Sequence, residues 1–310
     1  MTESTMSTTA AVTQQGGHGP ADLQVLHDPV PLPPHRTVRA TLARLLMAFT
    51  IAVLLAFLAI PLISLLVYAS PSTLVSKLSS HVAYQAVVLS LQTSLIALVI
   101  TVAFGTPVAY WLAKNEFRGK AAIDIGLQLT IVMPASVAGV GLLLVFGKTG
   151  LVGHVLAHGG IQIPFTQVAV VLAQVFTASA FYVSSARQAF VAVDDHLIAA
   201  SRTLGVPPWR TFLRVTVLLA APGMLAGAAL GWARALGEFG ATLVFAGNLP
   251  GSTQTLPLAI YTALQDDLTT AVAISALLLV VATVLLVLVK VVESKLSVTS
   301  RSSRKGATGA

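Results

Sequence analysis

The sequence predicts an all-α membrane protein of about six transmembrane helices, on three observations. The chain is 55% hydrophobic and only 9% charged, against the ~25% charge of a typical soluble domain. Five stretches are each apolar for long enough to cross a ~30 Å hydrocarbon core as a helix, which takes ~20 residues, and a sixth qualifies if two charges in it neutralise each other. Finally, Lys and Arg are sorted into alternate connections between these stretches, as charge-biased membrane insertion requires.

Residues 1–40 are rich in Thr, Gln, Gly and Pro and poor in aliphatics, too little apolar surface to offset the entropy of ordering. They are expected to be a disordered cytoplasmic tail, with Pro31, Pro33 and Pro34 stiffening a linker. The first apolar run, Leu42 to Tyr68, is too long for the core of a cleaved signal and is expected to stay as a helix. Further spans are expected over Ala86 to Ala113, Ile123 to Phe146, Phe165 to Val183 and Ala271 to Val289. Pro134 should kink the third span, next to the pathway. The run from Val217 to Phe245 carries Arg234 and Glu238, four apart and so one turn apart on a helix; it is kept as the fifth span. The transmembrane domain then covers 41–292, with a second cytoplasmic tail over 293–310.

With the N-terminus inside, fifteen of the 18 Lys and Arg fall on the inner side, two (Lys77 and Lys148) outside, and Arg234 in the membrane. Both termini are therefore expected in the cytoplasm of a bacterial inner membrane. The net charge of +7 is accounted for by inner loops facing the lipid surface, without nucleic acid. The absence of cysteine excludes disulfides and thiolate sites. The longest inner connection, about 184–216, mixes Ala, Leu, Arg and Asp at helical spacing and breaks at Gly205, Pro207 and Pro208. Two short helices around a turn are expected there, lying on the membrane and built to meet a partner.

Two motifs are set aside. Gly147-Lys148-Thr149 resembles the end of a phosphate-binding loop, but Leu142 occupies the position of its first glycine and the preceding run is a membrane helix where a strand is needed. His154 and His158 have ligand spacing but no third donor nearby, so no metal is expected. No nucleophile elbow or zinc-protease run is present, and no cofactor or catalytic residue is expected. Gly223, Gly227 and Gly231 form a smooth stripe on which another helix can pack closely. Arg234 and Glu238 are expected at a gate or along the pathway, because charges at bilayer depth are costly and retained for function. Glu238→Gln should be the worse single change, since a stranded guanidinium cannot shed its proton whereas a stranded carboxylate can take one up.

The run Ala199-Ala200-Ser201-Arg202-Thr203-Leu204-Gly205, followed by Pro208-Trp209-Arg210-Thr211-Phe212, resembles the Glu-Ala-Ala loop of ABC-importer permeases. Ala199 stands in place of its usual Glu, Ser201 in place of the second Ala and Leu218 in place of a following Pro. Ala233-Arg234-Ala235-Leu236-Gly237-Glu238-Phe239-Gly240-Ala241 is similar to the signature of permeases for molybdate, tungstate and sulfate. Ala246 to Gly251 and Thr253 to Tyr261 look like the molybdate branch. The resemblance implies a type I importer permease working as a homodimer with two ATP-binding subunits and an extracytoplasmic oxyanion-binding protein. Ala199, Ala200, Ser201, Arg202, Leu204, Gly205, Trp209 and Phe212 would then couple it to the ATPase, and the third and fifth helices would line the pathway. The alternatives are a sulfate or tungstate permease and an ion-driven secondary transporter. The latter needs several buried acids, of which Glu238 is the one evident here.

Overall fold

A computed structural model of the chain describes residues 35–68 and 81–307, with side chains over 40–68 and 81–291. Residues 1–34 of the expected tail and the loop holding Lys77 lie outside the described residues. Every regular element among the described residues is helical.

Helix α1 (His35–Tyr68) crosses the point, between Ala59 and Ile60, at which the described chain divides into two units. It is 34 residues long. Thr50 and Ser64 return their hydroxyls to the carbonyls of Leu46 and Pro61, at 2.9 and 2.8 Å, which hides polar atoms from lipid.

The second unit runs through α2 (His81–Lys114), α3 (Lys120–Val132), α4 (Ala135–Phe146), the short α5 (Gly153–His158), α6 (Gln167–Val191), α7 (Asp195–Thr203), α8 (Pro208–Thr211), a π-helical turn (Phe212–Thr216), α9 (Val217–Leu236), α10 (Gly240–Phe245), α11 (Leu256–Asp266) and α12 (Leu268–Ala307). Among the described residues five helical stretches are long and apolar enough to cross a membrane, and α3 with α4 makes a sixth if that bent pair is one span. α12 runs on to Ala307, so the expected tail after 292 begins as helix.

Three expectations are corrected. The third span is not one kinked helix: α3 and α4 meet at 117°. Proline has no N–H to donate and pushes the residue before it into extended backbone; Met133 has ψ 133° and Pro134 starts α4 as its N-cap. The fifth span ends at Leu236, and Gly237 to Phe239 leave the helix before α10. The inner connection contains one free-standing helix, α7, because α8 runs through the π turn into α9 as a single stretch, Pro208–Leu236.

α6 is the central element, packed against α2 and α9. Small residues allow the close approach: Ala169, Ala173, Ala180 and Ala186 are fully buried. A Cβ on Gly223 or Gly227 would sit 2.6 Å from the Cβ of Ala189 and 2.7 Å from that of Ser185, and one on Gly231 would lie 3.3 Å from the carbonyl of Ala178. The glycine stripe is thus the α9 face that meets α6, and Ser185 Oγ donates to the Gly223 carbonyl across it at 3.1 Å.

Candidate functional site

The inner connection starts where α6 ends. Asp194 caps α7, its carboxylate accepting from His196 N at 2.9 Å. The chain then reverses through Gly205, whose φ is +78° with open space around its Cβ position, so the constraint here is backbone angle rather than room. Ser201 Oγ lies 3.1 Å from Thr211 Oγ1, holding α7 against α8. Ala199, Ala200, Arg202, Gly205, Leu204 and Trp209 face outward, and the two large apolar side chains, Leu204 and Trp209, are 83% and 60% exposed. Arg210 covers one face of the Trp209 ring at 5.0 Å.

Ser201 and Phe212 turn the other way. Phe212 packs on Tyr110 of α2 at 4.7 Å between ring centroids, and both rings meet Phe190 of α6, at 6.3 and 5.4 Å. A second strut is ionic: Lys114 Nζ, at the end of α2, donates to Asp195 Oδ1 at 2.6 Å and to the Val193 carbonyl at 3.1 Å. The Lys114 hydrogen bond, and then its charge, hold the Asp195 carboxyl below its usual value. The reversal is therefore in contact with two membrane helices, through a packed aromatic cluster and a solvent-exposed ion pair.

The second feature is a meeting of two helix breaks. α4 begins after the Pro134 break and α10 after the Glu238 break, and the two short helices pack on each other. Gly139 and Gly240 make this possible; a Cβ on either would come within 2.8 Å of Val244 or 2.9 Å of Ala135. Glu238 is fully buried. Its Oε1 accepts from Ala241 N at 2.8 Å, capping α10, and Oε2 lies 2.7 Å from Arg234 Nη1. The guanidinium N–H is not aligned on that oxygen as a full hydrogen bond would be, so the pair is held by charge. Arg234 is about one-third exposed, its side chain 33% accessible.

Beyond α10, the segment singled out at 246–261 folds into a polar knot. Gln254 Nε2 donates to Asn248 Oδ1 at 2.9 Å and Thr262 Oγ1 at 3.2 Å, Asn248 Nδ2 donates to Thr262 Oγ1 at 2.9 Å, and Ser90 Oγ accepts from Leu256 N at 2.7 Å. The histidines of α5 approach each other, ring centroids 4.5 Å apart, with no third ligand; no group of three His, Cys, Asp or Glu able to hold a metal occurs among the described residues. Lys148 follows α4 in a turn that no strand precedes.

Sequence reasoning missed Lys114, Asp195 and Tyr110, and also an ion pair between Asp124 of α3 and Arg187 of α6, both half-buried. Asp124 carried a usable signal: it is a carboxylate one residue into an apolar run, which marks function or a partner.

Comparison with known proteins accords with these features. The family described as "Binding-protein-dependent transport system inner membrane component" matches residues 105–298. The "Probable transport system permease protein NifC" of Clostridium pasteurianum is 40% identical over 80% of this chain and 87% of its own length. The "Molybdenum transport system permease protein ModB" of Mycobacterium tuberculosis is 39% identical over 73% of this chain and 86% of its own. Among solved structures, a chain of a bacterial ABC transporter importing the acidic polysaccharide alginate superposes with a TM-score of 0.66 at 16% identity, over 84% of this chain and 98% of that one. That likeness is one of fold.

Proposed function

We propose that this chain, which belongs to the family of binding-protein-dependent transport system inner membrane components, is the permease subunit of an ABC importer that carries a tetrahedral oxyanion, molybdate, into the cytoplasm. The observation that carries the reading is the exposed reversal at Gly205, fastened through Phe212 and Lys114 to the ends of α2 and α6. A loop that only had to connect two spans would not display Leu204 and Trp209 while bracing itself on membrane helices. The ion is inferred from the relatives: a molybdenum permease in name at 39% identity.

In this reading both termini are cytoplasmic, the permease works as a homodimer, and two ATPase subunits receive the α7–α8 reversal in their clefts. A binding protein outside delivers the anion. Closure of the ATPases on ATP pushes α7, and the aromatic and ionic struts pass the displacement to α2, α6 and α9. The gate is the contact between α4 and α10. Non-helical backbone at membrane depth is tolerated only where protein buries it or water lines it, and here the breaks of the third and fifth spans abut. Pro134 sets one break; Arg234 and Glu238 fix the other.

The test is uptake of labelled molybdate, tungstate and sulfate by the reconstituted complex. ATP-dependent molybdate uptake, outcompeted by tungstate more than by sulfate, is expected. Sulfate uptake indifferent to molybdate would change the cargo, and uptake driven by an ion gradient without ATPase subunits would overturn the class.

A further inference from the structure

Between α3 and α6 lies an open-sided cavity of about 510 Å³, lined by Asp124, Gln128, Ser184, Arg187 and Gln188 with Leu127 and Val191. That is far above the ~10–15 Å³ that one water needs, so an ion can enter with part of its hydration shell. It sits one turn from the start of α3 and one turn from the end of α6, which is the side of the α6–α7 connection. Arg187 and Asp124 pair across it. Ser184, Gln128 and Gln188 line the same space, and among the described residues no hydrogen bond engages their side chains. The gating pair lies at the far end of α9, so this cavity is separate from the α4–α10 contact.

We propose that this cavity is an exit subsite for a tetrahedral oxyanion, in which Arg187 exchanges the Asp124 carboxylate for the departing anion. The inference rests on the importer reading above. A carboxylate and an oxyanion offer a guanidinium the same two-oxygen edge, so Asp124 is an internal stand-in that keeps Arg187 paired when no ion is present. The free amides and hydroxyl supply neutral donors for the remaining anion oxygens. Because the carboxylate cancels the arginine charge, the site starts near neutral and binds weakly, as an exit step requires. The two ionic partners therefore have opposite effects on the anion: Arg187 attracts it and Asp124 competes with it.

The chain has no cysteine, so Gln188→Cys gives a single reporter in the cavity. The assembled transporter in zwitterionic-lipid nanodiscs, without ATP, is labelled with a charged maleimide at constant ionic strength. Molybdate is expected to slow labelling in the millimolar range. Adding Arg187→Gln should abolish that protection, and Arg187→Lys should keep part of it. Adding Asp124→Asn should lower the half-protecting concentration about fivefold or more, the least that a unit charge some ångströms away contributes in bulk water. A change that only damaged packing would not improve anion binding, so this sign distinguishes a binding site from a structural ion pair. Labelling rates without anion report whether each variant is folded. Weaker protection in Asp124→Asn, no protection in a reporter that still takes up molybdate, or protection that appears only with anionic lipid and no added anion would each overturn the subsite. Protection by sulfate alone would support an oxyanion subsite and would count against molybdate as cargo.

Discussion

Replacing either member of the Arg234–Glu238 pair removes the same contact, yet the structure makes the two replacements unequal. Glu238 has no accessible surface, while the Arg234 side chain keeps 33% of its own. Arg234→Ala strands a carboxylate in the interior, and breaking a buried pair from one side costs ~3–5 kcal/mol; partial hydration of Arg234 puts this case near 3. Glu238→Gln leaves an arginine that can turn toward its open side, and the amide oxygen still accepts from Ala241 N. Its loss is the difference between a charged and a neutral hydrogen-bond acceptor, ~1 kcal/mol. At ~2–4 °C per kcal/mol for a chain of this size, thermal melting in detergent should fall by ~6–12 °C for Arg234→Ala and ~2–4 °C for Glu238→Gln. Arg234→Ala/Glu238→Gln should melt close to Glu238→Gln. This order is the reverse of the one that protonation alone suggests, because the two side chains are unequally buried. Refutation would be Glu238→Gln melting lower than Arg234→Ala, or losses that simply add in the double variant, since independent sites are the ones that add. Transport by the double variant then separates roles: normal transport makes the pair a structural clasp, and a stable but inactive protein places it in the gate.

Gly205→Val puts a β-branched residue at φ +78°, a strain of ~1–2 kcal/mol or more confined to the reversal; the protein should stay in the membrane but lose substrate-stimulated ATP hydrolysis, and unchanged stimulation would remove the reversal from coupling. Asp195 titrates below its usual value because Lys114 favours its charged form, so the α2–α7 strut is complete above the free carboxylate value near 4 and is lost as pH falls below it through the folded value. A spin label at Leu197→Cys should therefore loosen only below pH ~4, and Asp195→Asn should abolish that step; loosening that begins well above this range, or that persists in Asp195→Asn, would refute the ionic strut. Single cysteines at Lys148 and Asp266 should react with an impermeant reagent from outside, and one at Arg118 should not; labelling of Arg118 from outside would invert the topology.

What the sequence made legible divides along a physical line. Hydropathy and charge sorting reveal spans because lipid acts on every residue of a helix alike, so Ala86 to Ala113 was readable as α2 with little error. The Gly223, Gly227 and Gly231 stripe was readable for a related reason: spacing alone puts the three on one face, and in lipid a bare face has value only as a packing surface. Breaks and struts depend on partners distant in sequence and leave no periodic trace. Pro134 was visible as a kink, but neither the 117° bend nor the packing of α4 on α10 across the Gly139 and Gly240 contacts was. Phe212 was readable as part of the coupling segment, yet its place between Tyr110 and Phe190 joins three segments more than twenty residues apart. Glu238 was read as one half of an ion pair on a continuous helix. Its other oxygen caps α10, so the same carboxylate that neutralises Arg234 also stabilises the point where the fifth span leaves the helix. A charge buried in an apolar run therefore indicates more than a partner: it also marks where the backbone stops being able to satisfy itself.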